Sequence, residues 1–203
     1  MGSVDLSLIQ EINRLWYPVF PHLARHVGEI YKRRDGSVLD IGPFSGISFW
    51  LVKEKVGTNF RIASFPRGMA GFFRGEAQAL RLETEVNVVE SGPALDGIEN
   101  NGTDLAVFRG AFFFPSIFEI DLRAIHRVLA PGGMGFVGGG FGKHTPNGVI
   151  LSLGKRSREL NLNIGKVELS LPELTRLVES SGLGTDAQIV EEGGLWVLIR
   201  KRQ

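Results

Sequence analysis

The 203-residue chain predicts an α/β fold: a doubly wound, mostly parallel sheet of seven strands, with an antiparallel last strand and extra helices at its N-terminus. Three observations predict it. Short apolar runs alternate with amphipathic stretches through the middle of the chain. The first of these runs ends in a glycine turn that opens directly into a helical pattern. The chain closes on two apolar runs joined by Glu191-Glu192-Gly193-Gly194, a hairpin-like link that breaks the alternation.

Residues 5–33 read as helical, with Leu8, Ile9, Ile12, Leu15 and Trp16 at helical spacing. Pro18 and Pro21 break and restart the pattern, and Leu23, Val27, Ile30 and Tyr31 continue it. Asp35-Gly36 marks a turn. Ser37-Val38-Leu39-Asp40-Ile41 is a short buried strand, followed by a helix over 46–56. A second strand spans 60–64, a second helix 67–82, a third strand 86–89 and a fourth 104–108. Residues 116–129 predict a further helix, stopped by Pro131-Gly132-Gly133, and Met134-Gly135-Phe136-Val137 predicts the fifth strand. Helices over 146–163 and 171–181 precede the strands 187–190 and 195–199. Right-handed crossovers then leave few topologies, and the pattern suits one Rossmann-like core over 36–203 under a helical cap over 1–34. Met1-Gly2-Ser3 reads in part as a cloning remnant and stands outside this reading.

Composition narrows the function classes. Apolar residues make up 43% and charged residues 22%, as in ordinary globular proteins. A net charge of +1 gives no basic excess for a nucleic-acid partner. Arg200-Lys201-Arg202 and Lys155, Arg156 and Arg158 read as solvated surface. The absence of cysteine excludes disulfides, thiolate metal sites and cysteine nucleophiles, and fits a reducing cytoplasm. Asp5, Glu11 and Arg14 interrupt any signal-like apolar stretch, and no apolar run is long enough to span a membrane.

In an open parallel sheet, ligands bind at the carboxyl ends of the strands. The first such loop is Asp40-Ile41-Gly42-Pro43-Phe44-Ser45-Gly46. Gly42 lets the backbone leave the strand tightly, and Gly46 lets the next helix pack close to the sheet. The helix then aims its N-terminal N–H groups into the crevice. The dinucleotide fingerprint fails at Phe44 and Ile47, and the phosphate-binding P-loop fails at Gly46-Ile47-Ser48.

These residues carry a resemblance. The segment Val38 to Gly46 resembles motif I of the class I S-adenosylmethionine (SAM)-dependent methyltransferases, and the segments Arg109 to Phe114 and Gly138 to Gly142 are similar to a subgroup of small microbial members. Thr103-Asp104-Leu105-Ala106-Val107 resembles that family's fourth strand, and Arg127-Val128-Leu129-Ala130-Pro131-Gly132-Gly133 its turn before strand five. The resemblance implies SAM as cofactor and a small-molecule acceptor, with neither nucleic acid nor membrane as partner. The oligomeric state stays open, a homodimer among the options.

By position, the resemblance puts Asp40, Gly42, Phe44 and Gly46 along the methionine end of SAM. It puts Ser64 and Phe65 at the ribose and adenine, and Glu90 and Ser91 beside the adenine. Phe108, Arg109 and Gly110 would border the sulfonium and the acceptor. The chain departs from the pattern in three ways. Phe44 replaces the middle glycine of motif I, Glu90-Ser91-Gly92-Pro93 stands where the family has Gly-Asp after strand three, and no carboxylate follows strand two to grip the ribose hydroxyls. Charge-assisted hydrogen bonds of that kind contribute about 1.5–3 kcal/mol each, so their loss weakens binding by ~10- to 100-fold. The alternative is therefore a non-catalytic relative whose altered loops bind another ligand or a protein.

Outside those motifs, His144 follows strand five at the same edge and could act as a general base, with Arg109 the second catalytic candidate. His22 and His26 share a helix face, without a third ligand to make a metal site. His126 reads as structural. Among Phe112, Phe113 and Phe114 at least one should line an acceptor pocket. The tract Gly138-Gly139-Gly140-Phe141-Gly142 is either a flexible strand exit or a close approach to a ligand or a lid hinge.

Overall fold

A computed structural model describes residues 5–203, so the reading of Met1-Gly2-Ser3 lies outside the described residues. Helix α1 spans Leu6–Trp16 and α2 Phe20–Tyr31. Asp5 caps α1 by accepting from the Ser7 N–H. One face of α1 turns inward through Ile9, Ile12, Asn13 and Trp16, and α2 buries Leu23, Ala24 and Val27. Both helices join the main hydrophobic core.

The α/β part follows: β1 (Ser37–Ile41), α3 (Ser48–Lys53), β2 (Asn59–Ser64), α4 (Met69–Ala79), β3 (Val86–Glu90), β4 (Thr103–Arg109), α5 (Leu122–Val128), β5 (Leu129–Gly139), α6 (Asn147–Asn163), α7 (Leu171–Ser180), β6 (Ala187–Val190) and β7 (Leu195–Arg200). The sheet order is β3-β2-β1-β4-β5-β7-β6. The first five strands pair in parallel, and β7 runs antiparallel to both β5 and β6. The order turns back between β1 and β4, so the crevice at their carboxyl ends is the switch point where such sheets take ligands. Residues at the centre of the sheet are buried on both faces, among them Leu39, Ile41, Leu105 and Val107.

Two expectations need correction. The helix expected over 116–129 begins only at Leu122, because Asp121 caps it through the Ala124 N–H at 2.9 Å. The residues ahead of it form successive turns that aim Phe112, Phe114 and Phe118 inward. Nor does Pro131-Gly132-Gly133 stop that helix, which ends at Val128. This turn lies inside β5 and is tied to the last strand's exit: the Gly132 N–H donates to Lys201 O at 2.8 Å and the Lys201 N–H to Gly133 O at 3.0 Å. The pairing of β4 with β5 shifts register at this point, between Thr103 and Leu105.

The glycine tract after β5 has a cause that neither expectation named. A Cβ at Gly138 would lie 2.3 Å from Leu195 O, and one at Gly140 would lie 2.3 Å from Gly193 O. The exit of β5 and the β6–β7 turn thus touch backbone to backbone, and no side chain fits between them. Gly138→Ala should destabilise the protein by about 3 kcal/mol, since the backbone at φ +152° cannot yield without breaking the β5–β7 ladder. Urea unfolding of the two proteins measures the difference; a change within 0.5 kcal/mol, roughly that of a neutral surface substitution, would contradict this packing.

Candidate functional site

Asp40 stands near the end of β1, fully buried. Its Oδ2 accepts from the Gly46 N–H at 2.8 Å and the Ser48 N–H at 3.0 Å, so it caps the start of α3. Burial pushes its carboxyl up to about 6, against those two N–H groups, which hold it down. Oδ1 has no protein partner, and neither do the buried hydroxyls of Ser48 and Ser64. In the loop itself the Ser45 hydroxyl donates to Gly42 O at 2.9 Å.

Arg109 closes β4 and is 5% exposed. Its Nε donates to Phe44 O at 3.1 Å, and Nη2 makes a long contact of 3.5 Å with Asn13 Oδ1. Its guanidinium carbon lies 4.7 Å from the Trp16 ring centre, 5.0 Å from Phe20 and 5.5 Å from Phe44. Burial lowers its ordinary basicity to about 9, while the charge of Asp40 supports it, so Arg109 is cationic at neutral pH. Asn13 completes the tie: its amide donates to Ile9 O at 3.0 Å and to Pro43 O at 2.8 Å. Sequence reasoning missed Asn13. The available signal was a polar residue sharing the helical face of Ile9, Ile12 and Trp16.

Aromatic rings take up the switch-point crevice. Phe44, 1% exposed, packs on Phe114 with ring centres 4.4 Å apart. A Cβ on Gly110 would meet the Phe44 ring at 2.7 Å, and one on Gly42 would meet Phe108 at 2.5 Å. Phe65, Phe108 and Phe118 form a second cluster, with centres 5.2–5.8 Å apart. The structure therefore brings together Asp40, Gly42, Phe44, Gly46, Ser64, Phe65, Phe108, Arg109 and Gly110 at one sheet edge, most of them buried against one another. Glu90 is exposed, and Ser91 is held beside β2 by its N–H, which donates to Ser64 O at 2.9 Å.

His144 lies elsewhere. Its Nε2 meets Glu29 Oε1 at 2.8 Å, and Lys143 Nζ reaches the other oxygen of Glu29 at 2.8 Å. Those two bonds hold the Glu29 carboxyl down at about 2. His26 is buried beneath His144, edge-on to Phe136, and burial lowers its basicity. His126 contacts Asp186 at 3.1 Å. Among the described residues no three His, Asp or Glu side chains gather as metal ligands.

An open cavity of about 480 Å³ adjoins the aromatic cluster on its β5 side, within the usual size range of small-molecule sites. Arg109, Gly110 and Phe44 form its inner end, and Trp16 and Phe141, stacked with centres 4.8 Å apart, form one wall. Helix α6 roofs it through Gly154, Ser157 and Asn161. Phe113 and Phe114 both reach this cavity, while Phe112 does not line it.

No family description and no curated protein matches the chain. Solved structures do. A protein assigned as a SAM-dependent methyltransferase from Methanococcus maripaludis superposes with a TM-score of 0.78 at 23% identity, over 100% of this chain and 96% of that one. A SAM-dependent methyltransferase from Aquifex aeolicus gives 0.61 at 19%, over 98% of each chain. Geranyl diphosphate C-methyltransferase from Streptomyces coelicolor A3(2), solved with Mg2+, geranyl diphosphate and S-adenosylhomocysteine, gives 0.58 at 15%, over 89% of this chain and 78% of that one. The chain therefore has the fold of the class I SAM-dependent methyltransferases. Among the described residues no helix is long and apolar enough to cross a membrane.

The fold implies SAM at the switch-point crevice, and the residues here do not fit it. The faces of Gly42 and Gly110 are covered by Phe108 and Phe44. Ser64 and Phe65, where a ribose-binding carboxylate would stand, are buried. Swinging one ring such as Phe44 out to water would re-expose most of its apolar surface, at a cost of about 4 kcal/mol, or roughly a thousandfold in affinity.

Asp40 gives a pH test of this geometry. Its native carboxyl binds a proton more tightly than the unfolded one, so its stabilising share is complete below about pH 4 and is lost as pH rises through about 6. The wild type should lose about 2 kcal/mol relative to Asp40→Asn between pH 4 and pH 7. Parallel urea unfolding at the two pH values checks it; a pH-independent difference between the proteins would refute the burial of an ionisable Asp40.

Proposed function

We propose that this chain is a small-molecule-binding protein of the methyltransferase fold that works without SAM, its ligand lying in the cavity between Arg109 and α6. One observation carries the reading: Phe44, standing where a glycine would leave room for the methyl donor, is buried against Gly110 and Phe114. The neighbouring cavity is open, mixed in polarity and walled by aromatic rings, as small-molecule sites are.

A second reading, SAM-dependent methylation of a small acceptor, is favoured by a different observation. Asp40 Oδ1 and Ser64 Oγ stand buried without protein partners, at the two strand ends that the resemblance assigns to the methyl donor. Buried polar atoms are rarely left so. In that reading Phe44 swings aside when SAM arrives, and the same cavity takes the acceptor.

Calorimetric titration with SAM and S-adenosylhomocysteine separates the two. The first reading expects no binding by the wild type up to millimolar ligand. It expects Phe44→Ala to lose about 3–5 kcal/mol of stability, and to bind S-adenosylhomocysteine more tightly than the wild type wherever it stays folded. Micromolar binding by the wild type would overturn the first reading and favour the second, whose methyl transfer an acceptor screen then tests.

A further inference from the structure

Arg109 is a buried cation with no ion-pair partner within salt-bridge distance among the described residues, although the charge of Asp40 supports it. Among the described residues Arg14, Arg33, Arg156 and Arg202 form salt bridges, whereas no carboxylate lies within salt-bridge distance of the buried Arg109. Its protein acceptors are one backbone carbonyl and one distant amide oxygen. Nη1 has none among the described residues. A guanidinium is a fork of five donors suited to bidentate pairing with a planar anion. Burying such a charge with its donors half-used is costly unless something completes the pairing.

The surroundings say what completes it. Arg109 forms the inner end of the cavity, so its remaining donors have that space as their outlet. Beyond it the walls are rings: Trp16, Phe113, Phe114 and Phe141. Gly139 and Gly140 add a stretch of wall with no side chains. At the exposed mouth stand Arg158 and Lys166 against the single carboxylate of Glu168, a balance that draws anions inward.

The geometry points to a small organic carboxylate with a flat apolar body as the ligand of this cavity, its carboxylate on Arg109 and its body between the rings. The inference rests on the proposed ligand site and specifies its chemistry. One buried arginine matches the single charge of a carboxylate. A phosphate monoester brings nearly two charges and would be left with one unpaired in an aromatic chamber.

Three probes sharing one body test this: 3-phenylpropionate, 3-phenylpropanamide and 2-phenylethyl phosphate, each titrated calorimetrically into the full chain. The carboxylate should bind about 10- to 100-fold more tightly than the amide, the worth of one or two charge-assisted bonds. It should also bind more tightly than the phosphate. Gly154→Phe adds a ring at the roof of the cavity from a helix position where an added Cβ meets no atom within 4 Å, and it should abolish binding while the fold stays intact. Arg109→Met removes the charge at similar volume and should bring the carboxylate down to the level of the amide.

Equal affinity for carboxylate and amide, with both lost in Gly154→Phe, would overturn the anion assignment while leaving the ligand cavity standing. Tighter binding of the phosphate would overturn the carboxylate in favour of a phosphate. Binding unaffected by Gly154→Phe, or no binding by any probe, would overturn the inference. Micromolar SAM binding, measured separately, would instead remove the reading on which it rests.

Discussion

A positive charge enclosed by aromatic rings organises the ligand edge of this sheet. Arg109 ends β4, yet it bonds the carbonyl of the β1–α3 loop and reaches Asn13 on α1. Trp16 and Phe20 on the N-terminal helices offer it their faces, as does Phe44 from the loop. A cation desolvated to this degree has few alternatives to those partners, so three separate stretches of chain are held in one arrangement. The ring of Phe44 is fixed as a by-product: its own carbonyl is bonded to Arg109, and its side chain covers Gly110. The closing of the switch-point crevice and the opening of the neighbouring cavity are thus two consequences of one contact.

The opposite flank of the site is set by crowding instead of charge. Around Gly138, Gly140, Gly193 and Gly194 the backbones of β5 and the β6–β7 turn lie too close for a Cβ. Phe113 covers Gly139 from the other side. This absence of side chains gives the cavity a bare wall and leaves the rings of Phe113 and Phe141 to shape it. The strand order of the methyltransferase fold is present here, while aromatic rings occupy the crevice at its switch point. A sheet needs only the pattern of its strands, whereas a cofactor needs particular empty volumes, so fold and site are decided by different residues.

The sequence by itself determined the kind and order of the elements and the sheet edge at which chemistry would be sought. Those signals are local. Alternating apolar runs, proline and glycine stops and the Asp40 to Gly46 turn are each read within a few residues. It also singled out Phe44 and the missing carboxylate after β2 as departures, because a loop pattern makes them visible in place. Helix α5 starts later than its period predicts because Ile117 and Ile120 continue the spacing of Leu122, Ile125 and Val128 while lying in the turns ahead of it. Only the tertiary structure decided which way the rings point and what Arg109 touches, since its two hydrogen-bond acceptors, the Phe44 carbonyl and the Asn13 side chain, lie 65 and 96 positions away along the chain. It decided, too, that His144 faces Glu29, 115 positions away. Periodicity reports which face of an element is buried; it carries no information about which distant residue will meet it there, and the shape of a cavity is made of those meetings.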